Sequence, residues 1–161
     1  MIKNIPNKYT AKMLLATIDE HHKGAYDFLY LPIDFKNKCN VGYAFINMLS
    51  PSQIISFYEA FNGKKWEKFN SEKVACLAYA RIQGTAALVA HFQNSSLMNE
   101  DKRCRPILFH LESSESGNQM IQEHLSSSNL NMQDCPSKET DPTNSPGSTN
   151  NGFLGDEVEK Q

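Results

Sequence analysis

The sequence predicts an α+β fold in which an antiparallel four-stranded sheet carries two helices on one face. Three observations indicate this fold. Segments typical of a strand, a helix, two strands, a helix and a strand follow one another within residues 1–80. The two middle strand candidates are apolar on both faces, and the second helix candidate has a clear start and end. Residues 1–80 are therefore predicted to form one domain.

The chain begins with a short strand and a helix. Residues 1–5 alternate between apolar and polar side chains, and turn-forming residues follow them. This strand is expected to be truncated at its start. A helix is predicted from about residue 10, because Met13, Leu14 and Ile18 recur at the spacing of a buried helical stripe.

The two middle strands are predicted over residues 26–33 and 41–48, where aromatic and β-branched residues are dense. Side chains alternate across a strand, so each strand has two distinct faces. One face is predicted to hold Tyr26, Phe28, Tyr30, Tyr43, Phe45 and Asn47. The other is predicted to hold Leu29, Leu31, Ile33, Ala44, Ile46 and Met48. Because both faces are apolar, the sheet is either covered on both sides or keeps one aromatic face for a ligand.

The second helix has the clearest local signature in the chain. Ser50 is a good N-cap, Pro51 suits the first helical position, and Gln53 completes a capping box. The Asn-Gly pair at residues 62–63 ends the helix. Residues 74–80 then supply the last predicted strand.

Beyond the last strand the chain divides into two parts of different composition. Residues 81–110 carry apolar residues at helical spacing and predict a helical extension docked on the domain. Residues 111–161 are rich in Ser, Asn, Asp, Glu and Gly and predict an acidic, polar, disordered tail. Residues 1–110 hold 14 Lys and Arg against 9 Asp and Glu, whereas residues 111–161 hold 2 against 9. A mildly basic body therefore carries an acidic tail.

Several functional classes lack their characteristic sequence features. No apolar run approaches the roughly 18 residues that a membrane span needs, and no secretory leader follows Met1. The 4 cysteines lack the short spacings of a zinc site or redox motif. No nucleophile with its base, no paired carboxylates and no phosphate-binding glycine loop are present. We therefore predict an intracellular protein that is not an enzyme, with no catalytic residue, metal, cofactor or membrane partner.

The uncovered face of the predicted sheet is the candidate binding surface. Two helices cover only one face of four strands, so the other face would display aromatic rings beside a lysine. Such groups suit single-stranded RNA, because an unstacked base rests on a ring while its phosphate meets a cation. An arginine just past the last strand is also placed to contact a phosphate. The predicted RNA-binding residues are Lys3, Phe28, Tyr30, Tyr43, Phe45, Asn47 and Arg81.

Two short motifs resemble those of RNA recognition motifs. The core of the ribonucleoprotein octapeptide resembles the run Gly42, Tyr43, Ala44, Phe45 and Ile46. Residues 2–5, on the first strand, resemble the end of the hexapeptide. A fuller likeness, over residues 1–9, 26–32 and 35–45, is to the C-terminal RNA recognition motif of the Mei-two-like proteins. This likeness extends to about residue 109.

The resemblance implies a ferredoxin-like βαββαβ RNA recognition motif that binds single-stranded RNA. The family consists of RNA-binding regulators of meiosis and development. The resemblance places Tyr43 and Phe45 at the two stacking positions of the octapeptide, and Lys3 at an exposed position of the hexapeptide. Three positions lack the basic or aromatic residue of the family pattern: Val41, Met48 and Met1.

One alternative function stays open from the sequence. The three departures, together with an extension that could lie across the sheet, favour a protein-interaction version of the same fold with the sheet face covered. In that version Phe28 and Tyr30 are core residues.

The basic cluster at residues 102–105 fits RNA contact, a nuclear signal or simple solubility. We expect a monomer in the nucleus or cytoplasm, with the nucleus favoured, and with protein partners as the alternative to RNA.

Overall fold

Residues 1–80 contain the six predicted elements in the predicted order, with a short two-stranded ribbon added between the second and third predicted strands. The computed structural model describes residues 1–93, 96–114 and 117–126. The helices are Ala11–His22 (α1), Pro51–Phe61 (α2) and Thr85–Gln93 (α3), with short 3₁₀ turns at Lys68–Asn70, Ser96–Asn99 and Lys102–Cys104. The strands are Ile2–Lys3 (β1), Tyr26–Tyr30 (β2), Ile33–Asp34 (β3), Cys39–Asn40 (β4), Tyr43–Met48 (β5), Cys76–Leu77 (β6), Ile107–Ser114 (β7) and Gly117–His124 (β8). The described residues belong to one unit, Met1–Asn131, and a second unit, Met132–Gln161, lies outside them.

Six strands form one sheet in the order β6-β1-β5-β2-β7-β8, and every pair in it is antiparallel. The four predicted strands are the first four of this order. Ile2 lies opposite Ala44, and Lys3 lies opposite Tyr43. The ribbon β3-β4 forms a separate two-stranded sheet. The last predicted strand, residues 74–80, is shorter than expected, since only β6 is regular strand.

Side-chain caps define where α1 and α2 begin. The Thr10 hydroxyl accepts a hydrogen bond from the Met13 amide at 3.2 Å. The Ser50 hydroxyl accepts one from the Gln53 amide at 3.4 Å, which confirms the predicted cap of α2. Such caps satisfy amide groups that have no partner inside the helix, and each contributes about 1 kcal/mol.

Helices α1 and α2 pack on one face of the sheet, as predicted. The side chains buried between them and the strands include Leu14, Ile18, Phe57, Ile2, Leu29 and Ala44. Burying one large apolar side chain contributes about 1.5–3 kcal/mol, so this main core is the principal source of stability.

The opposite face of the sheet is not open. Leu88 and Phe92 of α3 are buried together with Phe28, Tyr30 and Leu108 of the sheet. The sequence predicts a docked helical extension, but it does not show that the helix lies on this face. The expectation of an uncovered sheet face is therefore wrong over β2.

A β-bulge in β2 changes which face its first residue occupies. The register shifts between Tyr26, opposite Met48, and Phe28, opposite Asn47. Tyr26 consequently belongs to the main core, where its hydroxyl donates a 2.7 Å hydrogen bond to Asp19 of α1. The prediction that Tyr26 and Phe28 share a face is wrong, because a bulge interrupts strict alternation.

The predicted tail begins at residue 111, but strands β7 and β8 continue to His124. Strand β7 pairs with β2 through Leu108 opposite Phe28, and its side chains from Ile107 to Phe109 are buried. The β7-β8 hairpin continues beyond these buried residues because the hydrogen bonds between backbone groups do not depend on apolar side chains. The remainder of the predicted disordered tail, residues 115–116 and 127–161, lies outside the described residues.

Candidate nucleic-acid interface

The seven predicted RNA-binding residues do not form one surface. Phe28 is 0% exposed and Tyr30 is 8% exposed, so neither ring is available to a base. Lys3, Tyr43 and Arg81 are exposed, and Phe45 and Asn47 are half-buried. The structure therefore brings Lys3, Tyr43 and the edge of Phe45 together and assigns Phe28 and Tyr30 to the core.

Phe92 of α3 covers the two buried rings. Its ring lies parallel to that of Phe28, with centroids 6.1 Å apart and an interplanar angle of 21°. It meets the Tyr30 ring edge-on, with centroids 4.7 Å apart. Burial, and then the nearby Tyr43 hydroxyl, raises the pKa of Tyr30 to about 12. The predicted role of Phe28 and Tyr30 as exposed stacking rings is wrong because the apolar face of α3 occupies that position.

Phe45 and Tyr43 continue the aromatic row to the exposed part of the sheet. Phe45 lies parallel to Tyr30 at a centroid distance of 6.4 Å and contacts the Phe92 ring at 5.4 Å. Tyr43 meets Phe45 edge-on at 5.8 Å and is itself 37% exposed. Tyr43 is therefore the most exposed ring of this aromatic row.

Asn47 forms hydrogen bonds within the fold. Its side-chain amide donates hydrogen bonds of 2.9 Å to the Asp27 carboxylate and to the Thr85 hydroxyl. Thr85 is the first residue of α3. The bond to Thr85 holds α3 on the sheet, and the bond to Asp27 links β5 to β2. Contact of Asn47 with RNA stays a prediction.

A shallow depression of about 330 Å³ lies beside Tyr43. Its lining includes Lys3, Asn4, Tyr43 and Lys73, and these four residues are called the Lys3–Tyr43 surface below. Lys3 is the register partner of Tyr43 on the neighbouring strand, so the ammonium and the ring start from adjacent positions. Arg81 is exposed but does not line this depression.

Lys73 is a cation of this surface that the sequence analysis does not identify. Its ammonium donates hydrogen bonds to the Asn7 side-chain oxygen at 2.6 Å and to the Ile5 carbonyl at 3.3 Å. These contacts place Lys73 beside the end of β1. The predicted order of strands could have indicated this position. When the last strand pairs antiparallel with the first, the loop before the last strand, which contains Lys73, lies beside the end of β1.

A buried asparagine fixes the chain on both sides of the Lys3–Tyr43 surface. The side-chain nitrogen of Asn40 lies 2.8, 3.1 and 2.9 Å from the carbonyl oxygens of Pro6, Asn7 and Tyr9. Its side-chain oxygen accepts a 2.8 Å hydrogen bond from the Gly42 amide. Gly42 has φ +93°, a conformation that side chains disfavour, and it leads directly into β5. Asn40 thereby ties the loop after β1 to the start of β5.

The described residues hold no group of three or more His, Cys, Asp or Glu that could bind a metal ion. Within the same residues, no helix is long and apolar enough to cross a membrane. Cys39, Cys76 and Cys104 are free thiols. The Lys3–Tyr43 surface itself presents an exposed ring and two lysines.

The strand order β6-β1-β5-β2, with α1 and α2 on one face and Tyr43 and Phe45 on the central strand β5, defines an RNA recognition motif fold. The chain belongs to the family described as RNA recognition motif 2, whose family model matches residues 1–93. The predicted fold class is thus confirmed, with α3 and the β7-β8 hairpin as additions.

Similar proteins support the predicted Mei-two-like resemblance. The chain is 82% identical over 119 residues to Protein MEI2-like 2 of Oryza sativa subsp. japonica, covering 74% of this chain and 14% of that protein. It is 78% identical over 119 residues to Protein MEI2-like 1 of Arabidopsis thaliana, covering 74% and 13%. It is 70% identical over 142 residues to Protein MEI2-like 5 of Arabidopsis thaliana, covering 88% and 18%. The predicted resemblance is confirmed, and the chain spans less than a fifth of the length of these relatives.

One solved structure to which this chain is similar is the structure of the Rna15 RRM with bound RNA. The identity is 18% and the TM-score is 0.45, with 56% of this chain and 89% of that chain covered.

Proposed function

We propose that this domain binds single-stranded RNA through the Lys3–Tyr43 surface. The observation that carries the proposal is an exposed tyrosine ring on the central strand with two lysines, Lys3 and Lys73, around the same depression. Membership of the RNA recognition motif 2 family supports it, as does similarity to the MEI2-like proteins. No step of covalent chemistry is involved.

The proposed mode of binding is narrower than the one the sequence predicts. One base stacks on Tyr43, and the edge of Phe45 extends the contact. Lys3 and Lys73 neutralise the adjoining phosphates, which releases counterions and makes binding weaker as salt rises. Phe28 and Tyr30 take no part while α3 is docked.

Replacing Tyr43 with alanine is expected to lower the affinity for a short random single-stranded RNA by about 1–3 kcal/mol, the range for one base stacked on an aromatic ring. Thermal unfolding should change little because the Tyr43 ring is exposed and is not among the side chains buried beneath α3. A matched control is Tyr79→Ala, which removes a tyrosine that is 82% exposed and lies outside the Lys3–Tyr43 surface. Equal affinities for the two variants, measured by fluorescence anisotropy, would contradict the proposed stacking.

Replacing Lys3 with glutamine is expected to reduce the slope of log affinity against log salt by about 0.7, the value for one phosphate contact on a single strand. Lys12→Gln, at an exposed position of α1, is the control and should leave the slope unchanged. Titrations at three or more salt concentrations measure both slopes. If the two variants shift the slope equally, Lys3 contributes only general charge and not a phosphate contact.

A protein-interaction function is the second candidate. The cover that α3 provides over Phe28 and Tyr30 favours it, since the widest aromatic part of the sheet is unavailable to bases. The same titration separates the candidates, because an absence of RNA binding at low salt would favour a protein partner.

We further propose, on the Mei-two-like resemblance, that the domain acts within a regulator of meiosis or development.

A further inference from the structure

Three segments of the chain meet at one end of the sheet. Strand β1 ends there, and β5 and β6 begin there, because β1 is antiparallel to both. Residues 3–10, 31–42 and 62–75 therefore lie at this end, and together they are called the loop end below.

Hydrogen bonds join the three segments of the loop end. The Asn4 side-chain amide donates a 3.0 Å hydrogen bond to the Val74 carbonyl. The backbone amide of Asn40 donates one of 3.3 Å to the Asn7 carbonyl, and the Lys73 ammonium bonds the Asn7 side chain. The loop end is consequently one connected surface and not three separate loops.

The loop end carries the whole formal positive charge of residues 1–110. It holds 8 of their 14 lysines and arginines but only 3 of their 9 acidic residues. The remainder of residues 1–110 therefore has equal numbers of positive and negative side chains. All 8 cations of the loop end are exposed lysines. Such a concentration of positive charge on one surface indicates a polyanionic partner.

Phe69 presents an aromatic ring at the loop end from an unfavourable backbone conformation. Its φ of +68° and ψ of +19° lie in the left-handed region, which bulky residues rarely adopt. The residue is 47% exposed, and its ring meets the buried Tyr9 edge-on at a centroid distance of 5.6 Å. Because burial is incomplete, glycine would suit this turn better than phenylalanine. A half-exposed ring at a strained position indicates a role outside the fold.

The path of an RNA strand away from Tyr43 is open on one side only. Helix α3 covers the neighbouring rings of β2, so the strand does not continue across β2. On the other side, Lys73 lines the depression beside Tyr43 and contacts Asn7. Tyr9, two residues after Asn7, contacts Phe69. Connected residues thus lead from Tyr43 over the loop end to Phe69.

We propose that a bound single-stranded RNA continues from Tyr43 over the loop end, where a second base stacks on Phe69. Lys68, which is exposed in the same 3₁₀ turn, contacts the adjoining phosphate. Rings that stack on bases, with cations between them for the phosphates, are the usual means of binding a single strand. This inference rests on the proposed function and adds a second stacking site to it.

The first test compares a trinucleotide with an RNA of about ten nucleotides, both of random sequence, by fluorescence anisotropy and by NMR titration of the full chain. A strand that reaches both rings should bind more tightly than the trinucleotide. Phe69→Gly should reduce that advantage by about 5- to 150-fold, the range for one stacked base. Tyr79→Ala, which removes an exposed ring outside the loop end, should leave the advantage unchanged.

Folding is checked on the same variant. Phe69→Gly should leave the midpoint of thermal unfolding equal or higher, because glycine adopts the left-handed conformation without strain. If the lost contact with Tyr9 lowers the midpoint instead, Lys68→Gln still tests the proposal, since it removes no packed side chain.

Lys68→Gln should reduce the slope of log affinity against log salt for the longer RNA by about 0.7, the value for one phosphate contact on a single strand. Lys23→Gln is the matched control. Lys23 is an exposed lysine that follows α1 and lies outside the loop end, so the slope should not change.

The outcomes distinguish this inference from the proposed function. If Tyr43→Ala weakens binding of the longer RNA while Phe69→Gly and Lys68→Gln do not, the strand does not cross the loop end and only this inference is overturned. If Phe69→Gly and Lys68→Gln weaken binding while Tyr43→Ala does not, the loop end is the binding site and the proposed function is overturned. If the loop-end variants weaken binding of a poly-glutamate peptide and of neither RNA, the loop end suits an acidic polypeptide, which also overturns this inference.

Discussion

Replacing Phe92 with alanine is expected to lower the free energy of unfolding by about 3–5 kcal/mol, the range for removing a buried aromatic ring. The ring is buried and contacts Phe28, Tyr30 and Phe45. Its removal leaves a cavity between α3 and the sheet that the surrounding backbone cannot fill. Urea denaturation followed by circular dichroism and by tyrosine fluorescence measures the change.

The control for this prediction is Ala90→Ser, an exposed position on the same helix. A surface substitution of this kind usually changes stability by no more than about 0.5 kcal/mol. If Phe92→Ala is no more destabilising than Ala90→Ser, α3 does not hold the sheet face closed, and the assignment of Phe28 and Tyr30 to the core fails.

The energy of α3 docking decides which rings RNA can use. A base that stacks on one ring gains about 1–3 kcal/mol. Displacing Phe92 to reach Phe28 or Tyr30 costs about 3–5 kcal/mol of packing, so a single base does not offset that cost. Tyr43, which needs no displacement, is consequently the first contact in the proposed mechanism, and use of the covered rings would require several bases to bind together.

The sequence was sufficient to predict the order of elements in residues 1–80 because local signals agreed with one another. The cap at Ser50 and the apolar stripe of α1 reappear in the structure at the predicted positions. The adjacency of Lys3 and Tyr43 follows from the strand order and from the two family motifs. These features depend on periodicity and on turn chemistry, which a single sequence records directly.

The remaining features depend on contacts between distant segments. The bulge at Tyr26 resets the alternation of β2, and no residue type in that strand marks the position of a bulge. The apolar spacing of Ile82, Val89 and Phe92 indicated a helix, but periodicity does not say which face of the sheet that helix covers, and it did not identify the buried Leu88. Apart from Met120 and Ile121, the hairpin residues beyond Leu111 are polar or glycine, so composition indicated a tail where backbone pairing forms strands.

Asn40 is the second position where a large effect is expected. Replacing it with alanine should lower the free energy of unfolding by about 3 kcal/mol, because each buried group left without a hydrogen bond costs about 1–3 kcal/mol. The side chain is 2% exposed and bonds the carbonyls of Pro6, Asn7 and Tyr9 as well as the Gly42 amide. Chemical denaturation measures the loss. Asn37→Ala, in the exposed turn before β4, is the control and should change stability by about 0.5 kcal/mol or less.

The variant Asn40→Asp separates hydrogen bonding from packing at this position. Aspartate has nearly the same shape and keeps the acceptor for the Gly42 amide, but an ionised carboxylate faces three carbonyl oxygens instead of donating to them. We therefore expect Asn40→Asp to be at least as destabilising as Asn40→Ala at pH 7. Its carboxyl pKa should be raised in the folded protein, so part of the stability lost at pH 7 should return as the pH falls below the folded pKa. A stability of Asn40→Asp equal to that of the unsubstituted chain at pH 7 would mean that shape alone holds the loop after β1 against β5. The position of Lys3 beside Tyr43 would then not depend on the Asn40 amide.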